Sequence, residues 1–199
     1  MTLYKVFYDV LADLADLFDA ENHIGGHEAA QALRVITGKV HTPLLPAHQV
    51  LSRTIETALS LGPLPIAAKI AKAMPLIDWH KPGLESGKIR PDIANHMAVT
   101  ELIGPDGMIF CKTVRVGLFV QSANHDYVAR KHAAEESFIM IGGSAYWHAD
   151  ETTPRRCKPG DIIYHSPNTP HSSVTKDEPF IAAWRWTGEI GYDLYTLTG

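Results

Sequence analysis

The residues best equipped for chemistry lie between positions 127 and 186. Histidine stands at 132, glutamate at 136 and histidine at 171, and a Pro159-Gly160-Asp161 turn precedes the last of them. Two neutral imidazoles and a carboxylate suit a divalent metal ion (Zn, Fe(II), Mn, Co or Ni) and leave open positions for water or substrate. In an extended strand alternate side chains share a face. Arg130, His132, Glu136 and Phe138 have one parity, so an extended segment aims His132 and Glu136 together. A turn at Ala133-Ala134 would break that alignment. Gly142-Gly143 permits a tight reversal, and Pro170 stiffens the approach to His171.

Several neighbours extend this set. His165, six residues before His171, reads as a partner of the ligands, as a substrate contact, or as a plain polar strand residue. Arg130 carries a permanent charge that would oppose a nearby cation, yet could clamp a carboxylate or phosphate bidentately. Trp184 and Trp186 share one face of the last strand, and Tyr146 and His148 one face of an earlier strand. Such an aromatic wall could hold a sulfonium or quaternary ammonium through cation–π attraction of about 0.5–2 kcal/mol per contact. Tryptophans of this kind also serve simply as core. Glu135, of opposite parity to Glu136, reads as a surface charge.

The elements that must position these groups change character along the chain. Leu3, Val6, Phe7, Val10, Leu11, Leu14 and Phe18 recur at helical spacing, and Gly25-Gly26 is expected to stop that helix. Further helices are predicted from His27 to Ile36 (ending at Gly38), from His48 to Leu61 and from Ile66 to Met74. Pro82 to Pro91 reads as a loop. From about Ile93 short apolar runs alternate with turns: Met97–Ile103, Met108–Val120, Phe138–Ile141, Ser144–His148, Asp161–Tyr164 and Phe180–Thr187. The expected organisation is a helical extension over 1–92, packed on a β-barrel over 93–199.

Composition narrows the function class. The chain has 199 residues, 45% of them hydrophobic, and a net charge of −4, with no basic stripe to favour nucleic acid or an anionic membrane. No apolar run approaches the roughly 20 residues needed to span a bilayer. Asp9, Asp13 and Asp16 come too early for a secretory leader, so a reducing cytoplasm is the expected location. Cys111 and Cys157 form no metal or redox motif.

His132, Glu136, Gly143, Pro159, Gly160 and His171 together resemble the downstream part of the cupin motif, which has a His-x-His pair, a Glu four residues on, and a Pro-Gly element before a last His. Trp79, Glu101-Leu-Ile-Gly-Pro-Asp-Gly107, Tyr127 and Trp184-Arg-Trp-Thr-Gly188 make the chain similar to the dimethylsulfoniopropionate lyase family, in particular its short Q-type members. The resemblance implies a mainly β fold, a single cupin (double-stranded β-helix or jelly-roll) barrel with an N-terminal α-helical extension. It also implies one divalent metal ion held by His132, Glu136 and His171. Two positions depart from the family pattern. Arg130 replaces the first His of the pair, and Phe138 replaces a tyrosine that ligates metal or acts as base. Phenylalanine can do neither, which leaves Tyr127 as the candidate base, or as a rim tyrosine with its hydroxyl in water.

The reaction so implied removes a proton beside a carboxylate and expels dimethyl sulfide to leave acrylate. The alternatives are a non-haem Fe(II) oxygenase, because the same ligands form a facial triad, and a small-molecule-binding cupin that has lost its base. The expected partner is a small-molecule carboxylate, with a homodimer as an option through an edge strand.

Overall fold

A computed structural model describes residues 2–37, 48–83, 88–150 and 152–198. The N-terminal half holds α1 (Leu3–Asp19), α2 (Ile24–Thr37), α3 (Ser52–Ser60), α4 (Pro65–Ala73) and the single-turn α5 (Pro91–Ala94). In α1 the expected stripe is buried from Val6 to Phe18, while Leu3 remains exposed. The Thr2 hydroxyl caps its start by accepting from Lys5 N.

The expected helix stop at Gly25-Gly26 is wrong. The first helix ends at Asp19, before Asn22 in the left-handed region, and both glycines lie in the first turn of α2. A Cβ at Gly25 would come within 2.3 Å of Glu135 Oε1 and of Thr187 Oγ1, and one at Gly26 within 2.4 Å of Phe18 O. These glycines let α2 approach its neighbours closely. The third helix starts at Ser52 rather than His48, because Leu51 adopts a left-handed backbone (φ 51°). Pro91, read as loop, opens α5, where its missing N–H costs nothing. The expected end of α2 at Gly38, and Gly87 in the loop, lie outside the described residues.

The strands form two facing sheets. In chain order they are β1 (Met97–Gly104), β2 (Ile109–Phe110), β3 (Arg115–Gln121), β4 (Asp126–Lys131), β5 (Ala134–Gly143), β6 (Ala145–Ala149), β7 (Arg155–Cys157), β8 (Ile162–His165), β9 (His171–Val174), β10 (Phe180–Gly188) and β11 (Thr196–Leu197). Among the described residues one sheet runs β2-β1-β3-β10-β5-β8 and the other β11-β4-β9-β6-β7, an open jelly roll rather than one closed hydrogen-bonded barrel. Gly142-Gly143 makes no hairpin: β5 and β6 do not pair. At Gly143 (φ 73°) the chain leaves the first sheet for the second, with Pro179 O so close that no side chain fits.

The six-stranded sheet is buried on both faces. Val116, Leu118, Val120, Ile139, Ile141, Ile181 and Ala183 join the helices in one core. The alternate residues Phe119, Phe138, Met140, Phe180, Ala182, Trp184 and Trp186 face the second sheet in another. Polar groups complete the helical side. Arg185, fully buried, donates to both carboxylate oxygens of Glu21 and to Thr187, and lies 3.0 Å from Glu135 Oε1. Glu135 is therefore no free surface charge; it is held by Arg185 and accepts from the Tyr164 hydroxyl. Cys111 and Cys157 are both free thiols.

Candidate metal centre

The three ligand candidates arrive from different places and meet between the sheets. His132 lies in the two-residue link between β4 and β5, Glu136 on β5, and His171 at the start of β9. A bend does occur at Ala133, yet His132 and Glu136 still converge. His132 Nε2 is 3.2 Å and His171 Nε2 3.1 Å from the same carboxylate oxygen, Glu136 Oε2. All three side chains are buried, and their donor atoms lie within 4.8 Å of one another.

Hydrogen bonds around them decide which atoms are free. Trp186 Nε1 donates to Glu136 Oε1 at 2.6 Å, which occupies the second carboxylate oxygen. His132 Nδ1 faces Ala134 O at 3.1 Å, and His171 Nδ1 faces Thr169 O at 2.8 Å. A carbonyl oxygen only accepts, so each Nδ1 carries a proton, and a neutral imidazole then turns a bare lone pair at Nε2 to the centre. Burial and the nearby Arg130 push the His171 imidazole down, keeping it neutral. Its Nε2 makes no hydrogen bond among the described residues. Burial pushes the Glu136 carboxyl up, and positive, N–H-donating rings at His132 and His171 would hold it well below the usual carboxylate range; with neutral rings a cation has to take the place of those protons. A bare lone pair set 3.1 Å from an anionic oxygen fits a cation between them, and backbone carbonyls on the outer ring nitrogens are the usual support of metal-binding histidines.

A cavity of about 550 Å³ opens onto this cluster, lined by Tyr127, Arg130, His132, Glu136, Trp184 and Trp186 among others. The Arg130 guanidinium is buried, 3.9 Å from the Tyr127 ring centroid and 5.7 Å from that of Trp147. Its Nη1 donates to His171 O at 3.4 Å, a long bond. His165 stacks on His171 with ring centroids 4.1 Å apart, and neither of its nitrogens has a hydrogen-bond partner among the described residues. Neither His165 nor His171 is among the residues lining the cavity. Burial and the neighbouring His171 push the His165 imidazole down to about 2.

The aromatic wall differs from expectation in one respect. Trp184 and Trp186 line the cavity, but Tyr146 is exposed and points away; the inward residue of β6 is Trp147. Phe138 lines the cavity with its ring 4.6 Å from that of Trp147. Sequence reasoning missed Tyr195. This residue, just before β11, hydrogen-bonds through its hydroxyl to the Tyr127 hydroxyl and stacks beside His132. Burial raises both phenols, Tyr195 strongly, while Arg130 works against the rise. No periodicity marks Tyr195. It follows the last long strand, where only the chain's return to the β4 edge brings it inward.

Comparison with known proteins places these features in context. Dimethylsulfoniopropionate lyase DddQ of Ruegeria pomeroyi is 28% identical over 106 residues, 53% of this chain and 53% of that protein, so the match spans about half the length of this curated relative. A solved structure of the DMSP lyases RdDddP and RnDddQII superposes over 100% of both chains with a TM-score of 0.69 at 22% identity. The crystal structure of DMSP lyase DddQ from Ruegeria pomeroyi DSS-3 covers 96% of each chain, with a TM-score of 0.63 at 24% identity. At those identities the likeness establishes the cupin jelly roll with its helical N-terminal half. The family model described as dimethylsulfoniopropionate lyase matches residues 28–182, a span containing Tyr127, His132, Glu136, His165 and His171, and on that match the chain belongs to the dimethylsulfoniopropionate lyase family.

Proposed function

We propose that this chain is a metal-dependent lyase that eliminates dimethyl sulfide from dimethylsulfoniopropionate, or from a closely related small carboxylate, leaving acrylate. The observation that carries the reading is the convergence of two imidazole Nε2 atoms on one buried carboxylate oxygen at the wall of a cavity sized for a small molecule. His132, Glu136 and His171 would hold the ion. A divalent cation supplies Lewis-acid stabilisation of the negative charge that builds on the substrate carboxylate as the adjacent proton leaves.

The remaining residues have roles of their own in this reading. Arg130 offers N–H donors to the substrate carboxylate and fixes that end of the molecule. Trp184 and Trp186 present ring faces to the sulfonium end. Tyr127 takes the proton from the carbon next to the carboxylate. The electron pair released forms the carbon–carbon double bond, and the carbon–sulfur bond breaks to free dimethyl sulfide. For this step Tyr127 must start as the phenolate and end as the neutral phenol; the Tyr195 hydroxyl, bonded to that of Tyr127, and the Arg130 guanidinium against its ring both favour that starting phenolate. His165 buttresses His171 from behind and makes no claim on substrate.

Metal content and acrylate release of the purified protein test this together. The protein as purified should hold one tightly bound divalent ion and release acrylate and dimethyl sulfide in equal amounts, and Tyr127→Phe should keep the ion while losing about 10²–10⁴-fold in turnover. Metal without acrylate release overturns the lyase reading. Unchanged turnover in Tyr127→Phe removes that residue from the mechanism.

A further inference from the structure

A second group of metal-type donors lies outside the centre described above. His48 precedes α3, and Asp78 and His80 follow the short 3-10 turn at Met74–Leu76. His48 Nδ1 is 3.1 Å from Asp78 Oδ1, and His80 Nε2 is 3.0 Å from Asp78 Oδ2, so each imidazole faces its own carboxylate oxygen. The three donor atoms lie within 4.8 Å of one another, and the two ring centroids are 5.7 Å apart.

The backbone fixes this arrangement. Trp79, fully buried, points into the helical core, so its neighbours Asp78 and His80 share the opposite, outward side. His80 pairs with Val99 through two backbone hydrogen bonds of 2.8 Å, which tie it to β1. The His48 segment is clamped onto the same stretch: Trp79 N donates to His48 O, and His48 N donates to Asp78 Oδ1 at 2.6 Å. Gln49 Nε2 adds bonds to the carbonyls of Met74 and Ile77. These three side chains are therefore presented by a braced backbone rather than by free loop ends.

We propose that His48, Asp78 and His80 form a second, peripheral site for a divalent transition-metal ion at the rim of the cavity. Two imidazoles and a carboxylate are a donor set for Zn, Cu, Ni or Co. All three side chains reach solvent, so water completes the coordination and the ion exchanges freely. His80 also lines the cavity mouth beside Lys81 and Lys88, so an ion held there adds to the positive charge at the rim. The cation would replace the two Asp78–imidazole contacts and lock the His48 segment against the strand.

Zinc binding by the full chain, stripped of metal beforehand and followed by equilibrium dialysis, tests the proposal. The native chain should bind two equivalents, one at least tenfold more weakly. His48→Ala, and separately Asp78→Asn, should each lose the weaker equivalent and keep the tighter. Glu136→Gln should do the reverse, which keeps this outcome separate from any failure of the buried centre. A native chain with no weaker zinc, or a weaker equivalent that survives both rim substitutions, overturns the proposal.

Discussion

Glu136 shows how far a single side chain is constrained here. Trp186 takes one carboxylate oxygen, and both imidazoles address the other, so any ion meets Glu136 through one atom. The convergence of His132, Glu136 and His171 was legible in the sequence because the three keep the spacing that strands and a Pro-Gly turn impose. The roles of His165 and Glu135 were not, because parity says which face a residue takes and nothing of what lies behind that face. His165 carries a testable consequence. Its imidazole titrates at about 2 in the folded chain, against about 6.5 unfolded. The unfolded chain therefore binds the extra proton throughout that window. The stability involved is fully present above pH 6.5 and falls by about 1.4 kcal/mol for each pH unit below it. Urea unfolding of metal-free protein between pH 4 and 6.5 should show a shallower slope in His165→Phe, by close to one proton. An unchanged slope would mean that His165 is already charged in the folded state.

At the scale of elements, β10 and α2 carry most of the architecture around the site. Strand β10 gives Trp184 and Trp186 to the cavity and Arg185, between them, to the helical side. Glu21, Glu135, Ser137 and Thr187 gather around that guanidinium, and α2 crosses directly over the group at Gly25. Gly25→Ala would drive a methyl group into Glu135, Thr187 and Arg185, none of which can retreat without leaving a buried charge short of partners. We expect a loss of about 2–4 kcal/mol, measured as a lower urea midpoint with the slope unchanged. The misreading of Gly25-Gly26 as a helix stop has a physical origin. Glycine marks either a backbone that turns or a surface another group must touch, and a sequence cannot separate the two. The strands beyond residue 93 were easier to read, since turn residues bound them on both sides. Strands β4, β7 and β9 were not expected, being short, polar segments without an apolar run.

The whole molecule is organised around the six-stranded sheet, with the helices on one face and the His132–Glu136–His171 cluster on the other. The opening pattern of apolar residues in α1 therefore serves the site at one remove, by packing on α2 and α4, while α2 and α3 lie against the outer face of the strands that carry it. No helix among the described residues is long and apolar enough to cross a membrane. The family resemblance read from short motifs agrees with the family match over residues 28–182, and the two departures at Arg130 and Phe138 both fall inside the cavity.

The four tryptophans divide between the two faces of that sheet. Trp147, Trp184 and Trp186 surround the buried centre, and Trp79 sits in the helical core between Asp78 and His80. The chain thus carries intrinsic fluorophores beside each set of donors. Copper(II), which quenches indole emission at short range, should dim the protein in one step through the inner group, and Glu136→Gln should abolish that step while the light from Trp79 is left to follow the outer one.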